Sequence, residues 1–186
     1  SALNFGAANL INDGSCIYPV LDTQLVTLVE GWSLFSTYIQ PQFMSMDSVF
    51  ELIVDQTIIV KNNTGAAFLP AWGMDLAMEN GQGYQSKLSI ASDLYVFGSQ
   101  LQPEENPIQL SVGWNMIAYL RENPAECILV FEDIADSVTI VKDGQGNVYF
   151  PDWGFSNIGN MIAGQGYQVK MASPTSLEYL ANDLEY

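Results

Sequence analysis

Two tryptophans stand in near-identical settings, Trp72 in "LPAWG" (69–73) and Trp153 in "FPDWG" (150–154). Two tyrosines, Tyr84 and Tyr167, stand in the identical string "GQGYQ" (81–85 and 164–168). An aromatic face presented at a turn can stack on the apolar face of a sugar ring, and two such faces on one chain can act together. These four residues form the candidate ligand-binding set. A second reading stays open for all four: a tryptophan held in both copies is more often a core residue, and each tyrosine begins a strand at a position expected to be buried.

Residues suited to bond-breaking chemistry are sparse. The chain has no histidine, which removes the commonest general base and metal ligand. Two cysteines, Cys16 and Cys127, are too few for a zinc site. Asp47 with Glu51 and Glu132 with Asp136 are carboxylate pairs at i, i+4, but they fall on the polar face of a predicted helix and read as solvated charges. Glycoside hydrolysis needs two carboxylates facing across a cleft, and nothing in the sequence indicates one. The glycines of "GQG" precede a strand, whereas a phosphate-binding loop precedes a helix, so nucleotide binding is excluded. Gly83 and Gly166 are read instead as permitting a sharp backbone entry into the strand. No catalytic residue is expected.

Charge narrows the partners further. Five basic residues face 21 acidic ones, for a net charge of −16. Such a surface repels nucleic-acid phosphates and anionic headgroups, and suits a salty medium and divalent cations. No apolar run is long enough to cross a bilayer. An apolar fraction of 48% over 186 residues is enough for a hydrophobic core.

What positions the aromatic residues is an internal duplication, visible at an offset of 81 to 83. "EGWSLFSTYI" (30–39) aligns with "VGWNMIAYLR" (112–121), "TIIVKNNTGAAFLPAWG" (57–73) with "TIVKDGQGNVYFPDWG" (139–154), and "GQGYQSK" (81–87) with "GQGYQVK" (164–170). All four tryptophans pair: Trp32 with Trp114 and Trp72 with Trp153. Lys61 pairs with Lys142 and Lys87 with Lys170, leaving Arg121 alone. Lysines kept in both copies of so acidic a chain imply a fixed partner, such as a carboxylate at a strand end; a lysine-lined binding groove is the alternative.

Each copy reads as strand–helix–strand–strand–strand–strand over about 80 residues. In the first copy Ser45 is the predicted N-cap, and Met46, Val49, Phe50 and Ile53 recur at helical spacing. In the second, Asn123 caps, Pro124 opens the helix and Glu126 completes a capping box, with Cys127, Val130, Phe131 and Ile134 repeating the spacing. Cys127 thereby replaces Met46 on the core face and is expected to be an inert, buried thiol. "NNTG" and "DGQG" are hairpin turns in which Asn and Gly supply positive φ. "SQLQPEENPIQ" (99–109) reads as a connector. The expected fold is α+β: an N-terminal tail (1–21), then repeat 1 (22–104) and repeat 2 (105–186). Each repeat is a small, mostly antiparallel sheet with one helix, and the two are related by a pseudo-two-fold axis and packed on each other.

Two stretches carry resemblances. "ALNFGAANLINDGSCIYP" (2–19) is similar to a short tandem motif of secreted and cell-surface proteins of marine Bacteroidetes, matched at Ala2, Asn4, Phe5, Asn12 and Asp13-Gly14-Ser15-Cys16. It departs from that motif at Gly6-Ala7, which replace Asn-Pro or Asp-Pro, and at Asn12, which replaces Asp. The resemblance implies a disulfide partner for Cys16 just ahead of residue 1, the chain being a piece of a longer protein. The motif's Asp/Asn spacing makes Asn4, Asn9, Asn12 and Asp13 candidate calcium ligands. Both copies of the duplication, roughly 24–186, resemble a repeat near the C-terminal end of large secreted Bacteroidetes proteins that often end in a type IX sorting domain. That resemblance implies an extracellular, modular parent and no activity.

The expectation is therefore a non-catalytic extracellular module, a spacer or adhesion domain of a larger secreted or cell-surface protein. It is expected to have no cofactor other than calcium at those residues, and to meet a polysaccharide or another surface protein as its partner. A carbohydrate-binding module is the alternative, and a virion or tail-fibre domain a further one.

Overall fold

The computed structural model describes residues 21–186. Asn4, Asn9, Asn12, Asp13 and Cys16 lie outside the described residues.

The first copy contributes β1 (Asp22–Leu28), β2 (Gly31–Phe35), β3 (Ile39–Pro41), α1 (Met46–Val49), β4 (Thr57–Lys61), β5 (Ala67–Phe68), β6 (Tyr84–Leu88) and β7 (Ser92–Gln100). The second contributes β8 (Ile108–Leu110), β9 (Gly113–Ala118), β10 (Ala125–Glu126), α2 (Cys127–Val130), β11 (Val138–Lys142), β12 (Val148–Phe150), β13 (Phe155–Ser156), β14 (Asn160–Met161), β15 (Gly166–Met171) and β16 (Thr175–Leu177). Every ladder between these strands is antiparallel, and the fold is mostly small antiparallel sheets with short helical turns, compatible with an α+β or a mostly β class.

The two main sheets run β2-β6-β4-β5 and β9-β15-β11-β12-β13. Their registers correspond residue by residue: Trp32 lies opposite Lys87 and Trp114 opposite Lys170. Alternation places one face of each sheet inward. The buried apolar side chains form two clusters, one drawn from residues 26–96 and the other from 101–179. In the first, Phe50 packs edge-on to Phe35, with ring centroids 5.6 Å apart, and against Phe68. The connector is held rather than free: the Leu101 amide donates to the Tyr38 carbonyl, and the Leu101 side chain lies in the second cluster.

The predicted helix is shorter than its spacing implied. In each copy one α-turn is followed by a 3₁₀ segment, Glu51–Gln56 or Glu132–Ser137. Met46, Val49, Phe50 and Ile53 are all buried, as are Cys127, Val130 and Phe131, while Ile134 is partly buried. Phe50 (φ −94°, ψ 6°) and Phe131 (φ −102°, ψ 5°) leave the helical region. The four apolar side chains still reach one core through the change of helix type.

The caps differ too. Ser45 is the N-cap of α1, but its hydroxyl donates to Asp75, whose other carboxylate oxygen accepts the Asp47 amide at 3.0 Å. Burial pushes the Asp75 carboxyl up, yet hydrogen bonds from Ser45, Asp47 and Leu76 outweigh it and hold the group below its ordinary range. In the second copy Glu126, not Asn123, is the N-cap, because Ala125–Glu126 pair with Asn160–Met161 as a short ladder. The hairpin turns are likewise corrected. Gly65 and Gly146 alone take positive φ there; Asn62 and Asp143 stay at negative φ and accept backbone amides of their own turns.

Arg121 lies just beyond β9 and is buried. It donates from Nη2 to the Leu184 carbonyl and lies 4.9 Å from the centre of the Tyr186 ring. A charge-assisted hydrogen bond and a shielded cation–π contact together are worth about 3 kcal/mol. Its Nε and Nη1 are buried without a partner, so the cost of desolvating the charge offsets part of that gain. Arg121→Ala should lower unfolding stability by about 1–2 kcal/mol and expose residues 182–186 to proteolysis, as measured by denaturant unfolding and limited digestion. An unchanged unfolding midpoint would remove this role.

Candidate functional site

The "PAWG" and "PDWG" strings fold identically. Pro70–Trp72 and Pro151–Trp153 are single 3₁₀ turns, ended by Gly73 (φ 64°) and Gly154 (φ 58°) in the left-handed region. Proline fixes the first φ, and glycine accepts a conformation costly for other residues, so each turn is stiff. The Gly73 and Gly154 amides close it on the proline carbonyls at 3.1 and 2.9 Å. Trp72 is 76% exposed and Trp153 75%. Trp153 stacks on Phe150, with centroids 4.7 Å apart, and Phe155, two residues along, is also exposed. The turns thus offer two large aromatic faces on rigid supports.

Tyr84 and Tyr167 offer none, which corrects their assignment as ligand residues. Both are fully buried. The Tyr84 hydroxyl accepts the Glu79 amide at 2.7 Å, and the Tyr167 hydroxyl accepts the Ile162 amide at 3.0 Å. Each ring stands at the start of a core-facing strand, and its hydroxyl ties down the loop that precedes "GQG".

That loop meets the other copy. The Ser36 amide donates to the Gly164 carbonyl at 3.0 Å, and the Ala118 amide to the Gly81 carbonyl at 2.9 Å. Phe35 bridges Gln165 and Ile117 bridges Gln82. Gly83 and Gly166 are required by this approach rather than by a sharp strand entry. A Cβ on Gly83 would lie 2.5 Å from the Ile117 carbonyl oxygen, and one on Gly166 2.6 Å from that of Phe35. Ser36, fully buried, adds a link of its own, donating to the Gln165 carbonyl and accepting the Tyr119 amide.

Two clefts open beside these crossings. One, of about 410 Å³, is walled by β1, Trp32 and Ser33 on one side and by Gln145 and Gln165 on the other. Its counterpart, of about 320 Å³, is walled by β8 and Asn115 and by Asn63 and Gln82.

Three of the four lysines shared by the two copies are placed against indoles rather than at the expected strand-end carboxylates, and the fourth, Lys170, is the ladder partner of Trp114. Lys61 and Lys87 Nζ lie 4.9 and 5.8 Å from the centre of the Trp32 ring, and Lys142 Nζ lies 5.6 Å from that of Trp114. Sequence alone missed this, although the signal was present: the Trp and Lys pairs recur together.

Cys127 is fully buried, and burial, with Glu126 and Asp143 adding to it, pushes its thiol up to about 12. Asp47, Glu51, Glu132 and Asp136 are exposed on the helical turns. Among the described residues no group of three or more His, Cys, Asp or Glu is placed to hold a metal ion, and no helix is long and apolar enough to cross a membrane. No protein-family model matches the chain, and no curated protein and no solved structure is significantly similar to it.

Proposed function

We propose that the chain is a non-catalytic binding module of a secreted or cell-surface protein, and that it binds carbohydrate through Trp72 and Trp153. The observation that carries this reading is the exposure of both indoles, 76% and 75%, on two identically built stiff turns. Burying an indole is strongly favourable, so leaving the same tryptophan in solvent in both copies calls for a ligand. The rigidity of the turns limits the ordering cost of binding. The duplication is read as two pseudo-two-fold-related repeats, supported by the matching strand orders and the reciprocal "GQG" crossings. A spacer or adhesion role toward another surface protein uses the same faces and is the second reading.

Titration with a panel of neutral and acidic polysaccharides, followed by tryptophan fluorescence, tests this. A saturable shift is expected, weakened about tenfold in Trp72→Ala or Trp153→Ala by loss of one stacking contact and of the avidity between two. Trp72→Ala should leave the unfolding midpoint within about 0.5 kcal/mol of the parent chain, whereas Trp153→Ala also loses its stack on Phe150 and should cost about 1 kcal/mol. A flat response over the panel would sink the carbohydrate reading in favour of the spacer.

A further inference from the structure

We infer that the outward faces of the two main sheets, Trp32 with Lys61 and Lys87 and Trp114 with Lys142 and Lys170, bind an anionic polysaccharide. This inference is carried by residues other than Trp72 and Trp153, so the two assignments can fail separately.

Four of the chain's five basic residues stand on these two faces. Strand pairing puts them there. Trp32, Lys87 and Ile59 are directly opposite one another across β2, β6 and β4, and Lys61 is two residues along β4 from Ile59, on the same face. Trp114, Lys170 and Ile140 repeat the row in the second copy, with Lys142 two residues on. Trp32 is 50% exposed and Trp114 45%, so both faces are open to solvent.

An indole is a different partner from a carboxylate. It attracts an ammonium through its quadrupole and leaves the positive charge uncancelled. Lys61 and Lys87 share one ring and repel each other, and an anion placed between them relieves that repulsion. The ring also restricts two flexible side chains before any ligand arrives, which lowers the ordering cost of binding. The net charge of −16 does not forbid this. At physiological ionic strength the screening length is about 8 Å, so a bound anion feels chiefly the charges within the patch.

The same net charge selects among polyanions. Duplex nucleic acid carries one charge per roughly 1.7 Å of axis and would bring many phosphates against acidic surface. An acidic polysaccharide spaces its charges by whole sugar units and offers apolar ring faces and hydroxyls between them. Trp32 supplies the matching ring, and it also lines the 410 Å³ cleft in which Ser33, Gln145 and Gln165 present groups suited to hydroxyls.

Affinity electrophoresis of the full chain in gels containing dextran sulfate, polygalacturonate or neutral dextran provides the test, with anionic vesicles assayed by sedimentation. Retardation by one or both anionic polymers and none by neutral dextran is expected, and the two anionic gels separate sulfate from carboxylate recognition. Lys61→Gln with Lys87→Gln, and Lys142→Gln with Lys170→Gln, should each weaken retardation about fivefold, the worth of two exposed charge contacts. Lys61→Arg with Lys87→Arg should retain it, which separates loss of charge from loss of fold. Equal retardation by neutral dextran, full retardation of the fourfold Lys→Gln variant, no retardation in any gel, or binding to anionic vesicles without binding to either polymer would each overturn the inference.

Discussion

Gly166→Ala and Gly83→Ala should each cost about 3–5 kcal/mol of unfolding stability, a fall of roughly 10 °C in Tm for a chain of this size. The obstacle is backbone: the new methyl would lie 2.6 Å from the Phe35 carbonyl oxygen or 2.5 Å from that of Ile117, where no side-chain rotation gives relief. To make room, the crossing between the copies must open. That strains the amide–carbonyl bonds from Ser36 to Gly164 and from Ala118 to Gly81. Gly65→Ala is the control. Gly65 has φ 86°, and a methyl placed on it would meet nothing within 4 Å, so it bears only the left-handed penalty. That penalty is about 1–2 kcal/mol. Thermal unfolding of the three variants separates the two causes. Equal losses at all three positions would mean that conformational freedom, not close approach, is what "GQG" provides.

Raising the pH should unfold the protein cooperatively between about pH 9 and 12. Burial pushes the Tyr84 phenol and the Cys127 thiol each up to about 12, and pushes the Tyr119, Tyr167 and Tyr179 phenols well above their ordinary value. Unfolded, the phenols release protons near about pH 10 and the thiol near about pH 8.5. Between those values and the folded ones the unfolded chain binds fewer protons than the folded chain, so stability falls as pH rises. It is fully present below about pH 8.5 and is lost through the window above. Tyr84 alone accounts for on the order of 2–3 kcal/mol by about pH 12, and the other four groups act in the same direction. Tyrosinate absorbance and far-ultraviolet circular dichroism should change in one step. Gradual phenol ionisation with an unchanged dichroism spectrum would contradict it.

The duplication made the strands legible, because two copies with different side chains report the same period. It also located the core face of the helical turns, from Met46 to Ile53 and from Cys127 to Ile134. What it could not report was backbone hydrogen bonding: an α-turn joined to a 3₁₀ turn buries the same four positions as one longer helix. The capping box at Asn123–Glu126 fits its pattern but gave way to a pairing with Asn160–Met161, a strand far along the chain. The glycines of "GQG" were legible as special and illegible in cause, since the carbonyls that exclude a side chain come from the other copy. Tryptophan type and spacing marked the "PAWG" and "PDWG" turns. Whether an indole faces core or solvent depends on what packs over it, and that is decided by contacts far apart in sequence.

The crossings between the copies also bear on self-association. β2 and β9 are the outermost strands of their sheets, and outermost strands present unpaired backbone groups on which another chain can template. At the ends of these two, the template is occupied by a loop from the opposite half, Gln165 at Phe35 and Gln82 at Ile117. A fragment of half the length would carry both an open edge and the loop that closes one. Two fragments facing each other would satisfy both and stop at a closed pair, whereas a head-to-tail arrangement whose rotation does not close into a ring would grow into a fibre. Joining the halves through residues 101–107 makes closure intramolecular and independent of concentration.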